Sequence, residues 1–248
     1  MARKYRTGSN NGFYHIRDIG INHFAIFQSD RDKRKFREIL QKYLEGSGVS
    51  VVAYCIMNNH FHILAGGEKE NISWYMKLVK FHFAQWYNFK YERSGPLFDG
   101  RYRSDAIKDM GHFWEVLRYI HLNPLVAGAV KTVDEYEFSS YNCYVGKRDD
   151  LVDPAFVLAE MDETEFISWH CKIPDFTKFE GFRRTKHLVD EQAMEIITEV
   201  VGVGNERKLE GMDKTILILV LAELKRRGLS VRQISRLTGI SRWVVEKA

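Results

Sequence analysis

Cysteine, proline and long apolar runs are all scarce in this chain. Its 248 residues include 3 cysteines and 4 prolines. Cys55, Cys143 and Cys171 are widely spaced and odd in number. They form neither a disulfide framework nor a zinc pattern, which fits a reducing cytoplasm. So few prolines argue against long disordered linkers. The longest apolar run, Ile216 to Ala222, is far too short to span a bilayer. The opening MARKYRTGSNNG has no charged-then-apolar leader. A cytoplasmic protein without a membrane partner is therefore expected.

Composition is otherwise ordinary, at 45% hydrophobic and 28% charged residues. The net charge of +4 hides a pattern. Residues 1–148 carry 22 Lys and Arg against 15 Asp and Glu, a balance of +7. Residues 149–213 carry 7 against 16, a balance of −9, and residues 214–248 carry 8 against 2, a balance of +6. Two basic blocks around an acidic one suggest two nucleic-acid-facing regions; solvated surfaces alone give the same counts.

The first block alternates strand and helix signals. Phe13 to Ile19 reads as a strand. Asp30 can cap a helix with Phe36, Ile39, Leu40 and Tyr43 on one face, closed by Gly46-Ser47-Gly48. Val49 to Met57 is rich in β-branched and aromatic residues and reads as a strand. Asn58-Asn59 turns the chain into a second strand, Phe61 to Ala65. A long helix is expected from about Ile72 to Tyr91, then a strand-like stretch from Leu97 to Ile107. A last helix carries Trp114, Leu117, Tyr119 and Ile120, and Pro124 is expected to halt it. The order β-α-β-β-α-β plus a helix predicts an α+β, ferredoxin-like first domain over residues 1–148. Residues 149–210 read as an acidic helical linker with a hinge at Gly202-Val203-Gly204-Asn205. Residues 211–248 read as an all-α helix-turn-helix segment.

Three groups of residues carry chemistry. His60-Phe61-His62 places two imidazoles on one side of a strand, a partial site for a divalent metal; two surface histidines make the same pattern. Tyr119 and Asn123 share a helical face, so an amide oxygen able to ligate a hard cation lies one turn from a phenol. A core tyrosine and a helix-capping asparagine are the plainer reading. Between Trp74 and Tyr102 lie ten aromatics interleaved with Lys77, Lys80, Lys90, Arg93 and Arg101. Bases of single-stranded DNA stack on aromatics while cations follow the backbone, although most such rings belong to cores. Lys80, Arg93, Arg101 and Arg103 are the expected phosphate contacts.

Toward the end of the chain, Ser230 can cap Val231 to Leu237, Thr238-Gly239-Ile240 is a short turn, and Ser241 can cap Arg242 to Lys247. Ile234, Leu237, Ile240 and Val245 are expected core, and Arg232, Ser241 and Arg242 are expected contacts to double-stranded DNA. A protein-binding three-helix unit shares this pattern. The short last helix suggests either weak recognition or a truncated end.

Taken in order, Tyr54 to Leu64, Ser94 to Ser104 and Arg118 to Gly128 resemble the motifs of REP-associated tyrosine transposases, a subgroup of the single-tyrosine transposases. The resemblance covers roughly residues 10–145. It implies the ferredoxin-like fold, a Mg²⁺ or Mn²⁺ ion on His60, His62 and Asn123, and Tyr119 as the nucleophile. The implied activity is cutting and rejoining of single-stranded or hairpin DNA through a 5′-phosphotyrosine, by a monomer or homodimer. The alternatives are a DNA-binding regulator that no longer cuts and a metal hydrolase for small molecules. The four intact site residues weigh against the first, and the basic, aromatic-rich surface and helix-turn-helix pattern against the second.

Overall fold

The structure is a computed structural model that describes residue 9 and residues 11–147, 149–171, 190–201, 209 and 212–247. The expected hinge at Gly202 to Asn205 and the first eight residues lie outside these. The chain divides into two compact units after residue 173.

In the first unit, β1 (Phe13–Ile19), α1 (Asp30–Lys42), β2 (Val49–Ile56), β3 (His60–Gly67), α2 (Lys69–Lys90), β4 (Arg103–Ala106) and α3 (Met110–Val126) follow in chain order. The four strands form an antiparallel sheet in the order β2-β3-β1-β4. This is the expected ferredoxin-like connection, with α3 as the added helix. Strands β1, β2 and β3 bury residues on both faces because helices cover both, whereas β4, at the sheet edge, buries none. On one face Phe61 packs against Phe36 of α1, which in turn meets Phe83 of α2. On the other, Phe13 packs against Phe113 of α3 at 4.8 Å. The outer edge of β2 is closed by the segment after α3, where Ile56 donates to Phe138 O and Cys55 bridges Ser139.

Three local departures from the sequence reading have physical causes. The cap of α1 is Ser29 rather than Asp30: the Ser29 amide donates to Asp32 at 2.8 Å, the reciprocal arrangement of a capping box. The stretch from Leu97 to Ile107 pairs as a strand only over β4, since Gly100 turns at φ 78° and Phe98 makes an isolated bridge to Gly20. Pro124 does not halt α3, which continues to Val126. A proline removes one amide donor, and here burial of Ile120, Leu122, Asn123 and Pro124 outweighs that loss.

Helices α4 (Ala155–Glu160) and α5 (Glu163–Cys171) belong to the first unit and cover the outer side of α3. Phe156 meets Phe113, Trp169 meets Trp114, and the fully buried Phe166 stacks on Tyr144 at 4.8 Å.

The second unit contains α6 (Asp190–Val201), α7 (Lys214–Arg226), α8 (Val231–Thr238) and α9 (Arg242–Lys247). Ala193, Ile197, Leu209, Leu221, Leu224, Leu229, Ile234, Ile240 and Val245 form its core, and Leu237 packs against them. Ser230 caps α8 by accepting from the Gln233 amide at 3.2 Å. Gly239, at φ 80°, ends α8 in the left-handed conformation that glycine adopts without strain, and three residues later α9 begins. Among the described residues no helix is long and apolar enough to cross a membrane.

Candidate active site

Strand alternation and register build the site. His60 and His62 sit two apart on β3, so Phe61 turns into the α1–α2 core while the imidazoles face α3. Arg17 of β1 lies directly opposite His62, and His15 is its diagonal neighbour on the same face. Cys55 of β2 flanks His62 from the other side. Above them runs α3, which lowers Tyr119 onto this histidine cluster.

The rings make close contacts. His60 and His62 stand perpendicular with centroids 5.1 Å apart. Tyr119 meets His62 edge-on at 5.2 Å and His15 edge-on at 5.9 Å. His15 Nε2 and His62 Nδ1 are 2.9 Å apart, and His60 Nδ1 lies 2.6 Å from Asn59 Oδ1. Asn123 hydrogen-bonds the Tyr119 phenol. Tyr119 and Asn123 are each only 8% exposed, so the nucleophile expected from the sequence is buried rather than on an open surface.

Electrostatics follow from that burial. Desolvation pushes the Tyr119 phenol up to about 12, while the Arg17 charge and the Asn123 hydrogen bond pull it back. Burial lowers His15 to about 3 and His62 well below the ordinary histidine range, with the neighbouring positive groups acting in the same direction. Both rings are thus neutral at pH 7, and a neutral imidazole is the form that ligates a metal. The donor set fits a divalent cation. The Asn59 amide oxygen accepts from the Nδ1–H of His60, which leaves that ring's lone pair on Nε2. Among the described residues no three His, Cys, Asp or Glu side chains gather as a metal cluster; Asn123, beside Tyr119, brings an amide oxygen, a kind of donor that suits a hard cation.

The structure brings His60, His62, Tyr119 and Asn123 together and adds two residues that the sequence reading missed, His15 and Arg17. Their signal was present in the alternation His15-Ile16-Arg17, but their partner strand is 47 residues away. Of the expected DNA contacts, Arg103 shares the site's sheet face, directly opposite Arg17, and is exposed; Arg101 is exposed in the preceding loop. Lys80 and Arg93 lie on the α2 side. Lys80 pairs with the buried Asp18 carboxylate and donates to Gly100 O at 2.8 Å. Arg93 stacks over Phe24 at 5.1 Å. Among the interleaved aromatics, Tyr75, Phe83, Tyr87, Phe98 and Tyr102 are core, whereas Trp74, Phe81 and Phe89 are exposed on α2. In the second unit Arg232, Ser241 and Arg242 are all exposed.

Residues 9–123 match the family model of IS200-like transposases. No curated protein matches the chain. Among solved structures, the chain is similar to a REP-associated tyrosine transposase bound to a REP hairpin, with a TM-score of 0.51 and 17% identity. That similarity covers 62% of this chain and 92% of the other, and at this identity it speaks to a shared fold. Residues 9–123, which hold the βαββαβ sheet and the helix that carries Tyr119, are thus similar to the IS200-like transposases.

Proposed function

We propose that the protein cuts and rejoins single-stranded DNA beside hairpins, with Tyr119 as nucleophile and a Mg²⁺ or Mn²⁺ ion held by His60, His62 and Asn123. The observation that carries this reading is the meeting of Tyr119, His62 and Asn123 on the α3 side of the sheet. The fold shared with a hairpin-bound transposase supports hairpin DNA as the partner. When bound, the cation supplies charge withdrawal from the scissile phosphate and orients it for in-line attack.

The residues of the chain do the rest. Asn123 fixes the phenol through their hydrogen bond, and Arg17 favours the phenolate. The Tyr119 oxygen bonds to phosphorus as the bond from phosphorus to the 3′ oxygen breaks. The phenol gives up its proton and the departing 3′ oxygen takes one, leaving a 5′-phosphotyrosine and a 3′-hydroxyl. Attack by another 3′-hydroxyl on that phosphorus reverses the exchange without ATP. Arg101 and Arg103 hold backbone phosphates near the site, and the second unit contributes affinity for double-stranded DNA through Arg232 and Arg242.

Incubation with labelled hairpin-bearing oligonucleotides and Mn²⁺ is expected to yield a denaturant-resistant protein–DNA band with single strands and none with perfect duplex. Tyr119→Phe keeps the ring and removes only the attacking oxygen, so the band disappears while DNA binding stays nearly intact. An adduct that survives Tyr119→Phe and is lost in Tyr102→Phe would move the nucleophile. No adduct with either metal would leave a DNA-binding protein that does not cut.

A further inference from the structure

His15 has no part in the chemistry assigned above, yet it is buried between that chemistry's two main groups. It is 5% exposed, its Nε2 lies 2.9 Å from Nδ1 of the equally buried His62, and its ring meets Tyr119 edge-on. A histidine that ligates a cation through one ring nitrogen needs its proton on the other, and it keeps that tautomer only when an outer group accepts the proton's hydrogen bond. For His60 the acceptor is the Asn59 side-chain oxygen, which engages Nδ1. The partner in the same relation to His62 is His15.

We infer that His15 is a positioning residue: its Nε2 lone pair accepts from Nδ1–H of His62 and holds that ring with its own lone pair on Nε2, ready for a divalent cation. Both histidines of β3 are then gripped by Nδ1, one from the hairpin turn and one from the neighbouring strand. The grip on His62 is stiff because its two ends are strand residues in a fixed register, with Arg17 directly opposite His62 and His15 two residues away. The near-parallel rings, 24° apart, keep the two nitrogens in line. A neutral acceptor adds less negative charge than the carboxylate often found behind a metal-bound histidine, so His15 acts through orientation more than through added basicity.

This inference rests on the cation site proposed above, and its test separates the two. In the metal-free wild type, nitrogen chemical shifts of the imidazoles are expected to show His62 protonated on Nδ1. Titration with Mn²⁺ alone, followed by the loss of free-ion paramagnetic resonance signal, reads affinity without any DNA reaction. His15→Phe fills the space without an acceptor and is expected to mix the His62 tautomers and weaken Mn²⁺ binding about 10- to 100-fold. His15→Gln returns an acceptor oxygen and is expected to recover most of the affinity. A wild-type His62 protonated on Nε2, a wild type that binds no Mn²⁺, or unchanged Mn²⁺ affinity in His15→Phe each overturns the inference. If His15→Phe fails to fold, the wild-type tautomer and the His15→Gln affinity still decide it. The expected tautomer and affinities without a phosphotyrosine adduct would leave His15's role standing and remove the transposase chemistry.

Discussion

At Tyr119 two opposing influences meet on one oxygen. Burial disfavours the phenolate, and Arg17 favours it, leaving the phenol near 12. The ionised fraction at neutral pH is small, so removing Arg17 should be felt directly in the rate. Arg17→Gln is expected to slow single-turnover cleavage roughly tenfold for each unit by which the phenol rises, with the rate recovering as pH is raised. Arg17→Lys should restore part of the loss, because it keeps the charge but not the guanidinium that pairs with Asp105 at 2.9 Å. Equal rates for wild type and Arg17→Gln across pH would show that the arginine serves only its ion pair. The sequence made Tyr119, Asn123 and the two β3 histidines legible because each pair is local, two or four residues apart. Arg17 and His15 were not legible, since their meaning depends on which strand lies next to β1, and no local pattern records that. Lys80 shows the same dependence on the fold: its charge looked available from sequence, and in the fold it pairs with Asp18.

Among the elements, the strands and helices of the sheet were read nearly as they stand, because alternation and helical spacing are strong signals over long segments. The failures fell at ends. Pro124 broke a rule of thumb in a helix whose last turn is buried, and β4 shrank because a glycine turn takes over the chain before it. The region from 149 onward was the least legible. Its acidic composition suggested a linker, but α4 and α5 contribute Phe156, Phe166 and Trp169 to the packing around α3. The α8–α9 pair, by contrast, announced itself through Ser230 and Gly239, two residues whose capping chemistry is local. Its surface carries Arg232 and Arg242, both exposed, while Arg236 is tied to Asp190. The double substitution Arg232→Ala/Arg242→Ala is expected to weaken binding to double-stranded DNA. It should also make the plot of log affinity against log salt shallower by about 2, the amount for two lost phosphate contacts. Anisotropy titrations over a range of KCl concentrations would measure this, and an unchanged slope would place the contact elsewhere.

For the molecule as a whole, buried histidines link stability to acid. His121 of α3 and His170 of α5 lie 3.1 Å apart, and His121 also meets Ser140 Oγ at 2.8 Å. Burial lowers His121 well below the ordinary range and His170 to about 4. In the unfolded chain both titrate near 6.5, so below that pH the unfolded state binds more protons than the folded one. Their contribution is therefore complete above about pH 6.5 and is lost as pH falls toward about 4. Urea midpoints of the full chain should fall across that window, and His170→Phe, which keeps a ring in place, should flatten the fall. A midpoint independent of pH there would contradict the assignment.

The two-sided burial of α3 has a consequence for the DNA itself. The helix is clamped between the sheet and the α4–α5 cover, with His121 locked two residues from Tyr119 on the far side. A tyrosine on such a helix cannot swing out carrying its cargo. On the chemistry proposed above, a 5′ end attached to Tyr119 would stay at a fixed address, and any exchange of partners would come from the travelling 3′ ends. Strand choice would then be a question of delivery, decided by how the proposed hairpin and its flanking single strand are presented to a stationary Tyr119.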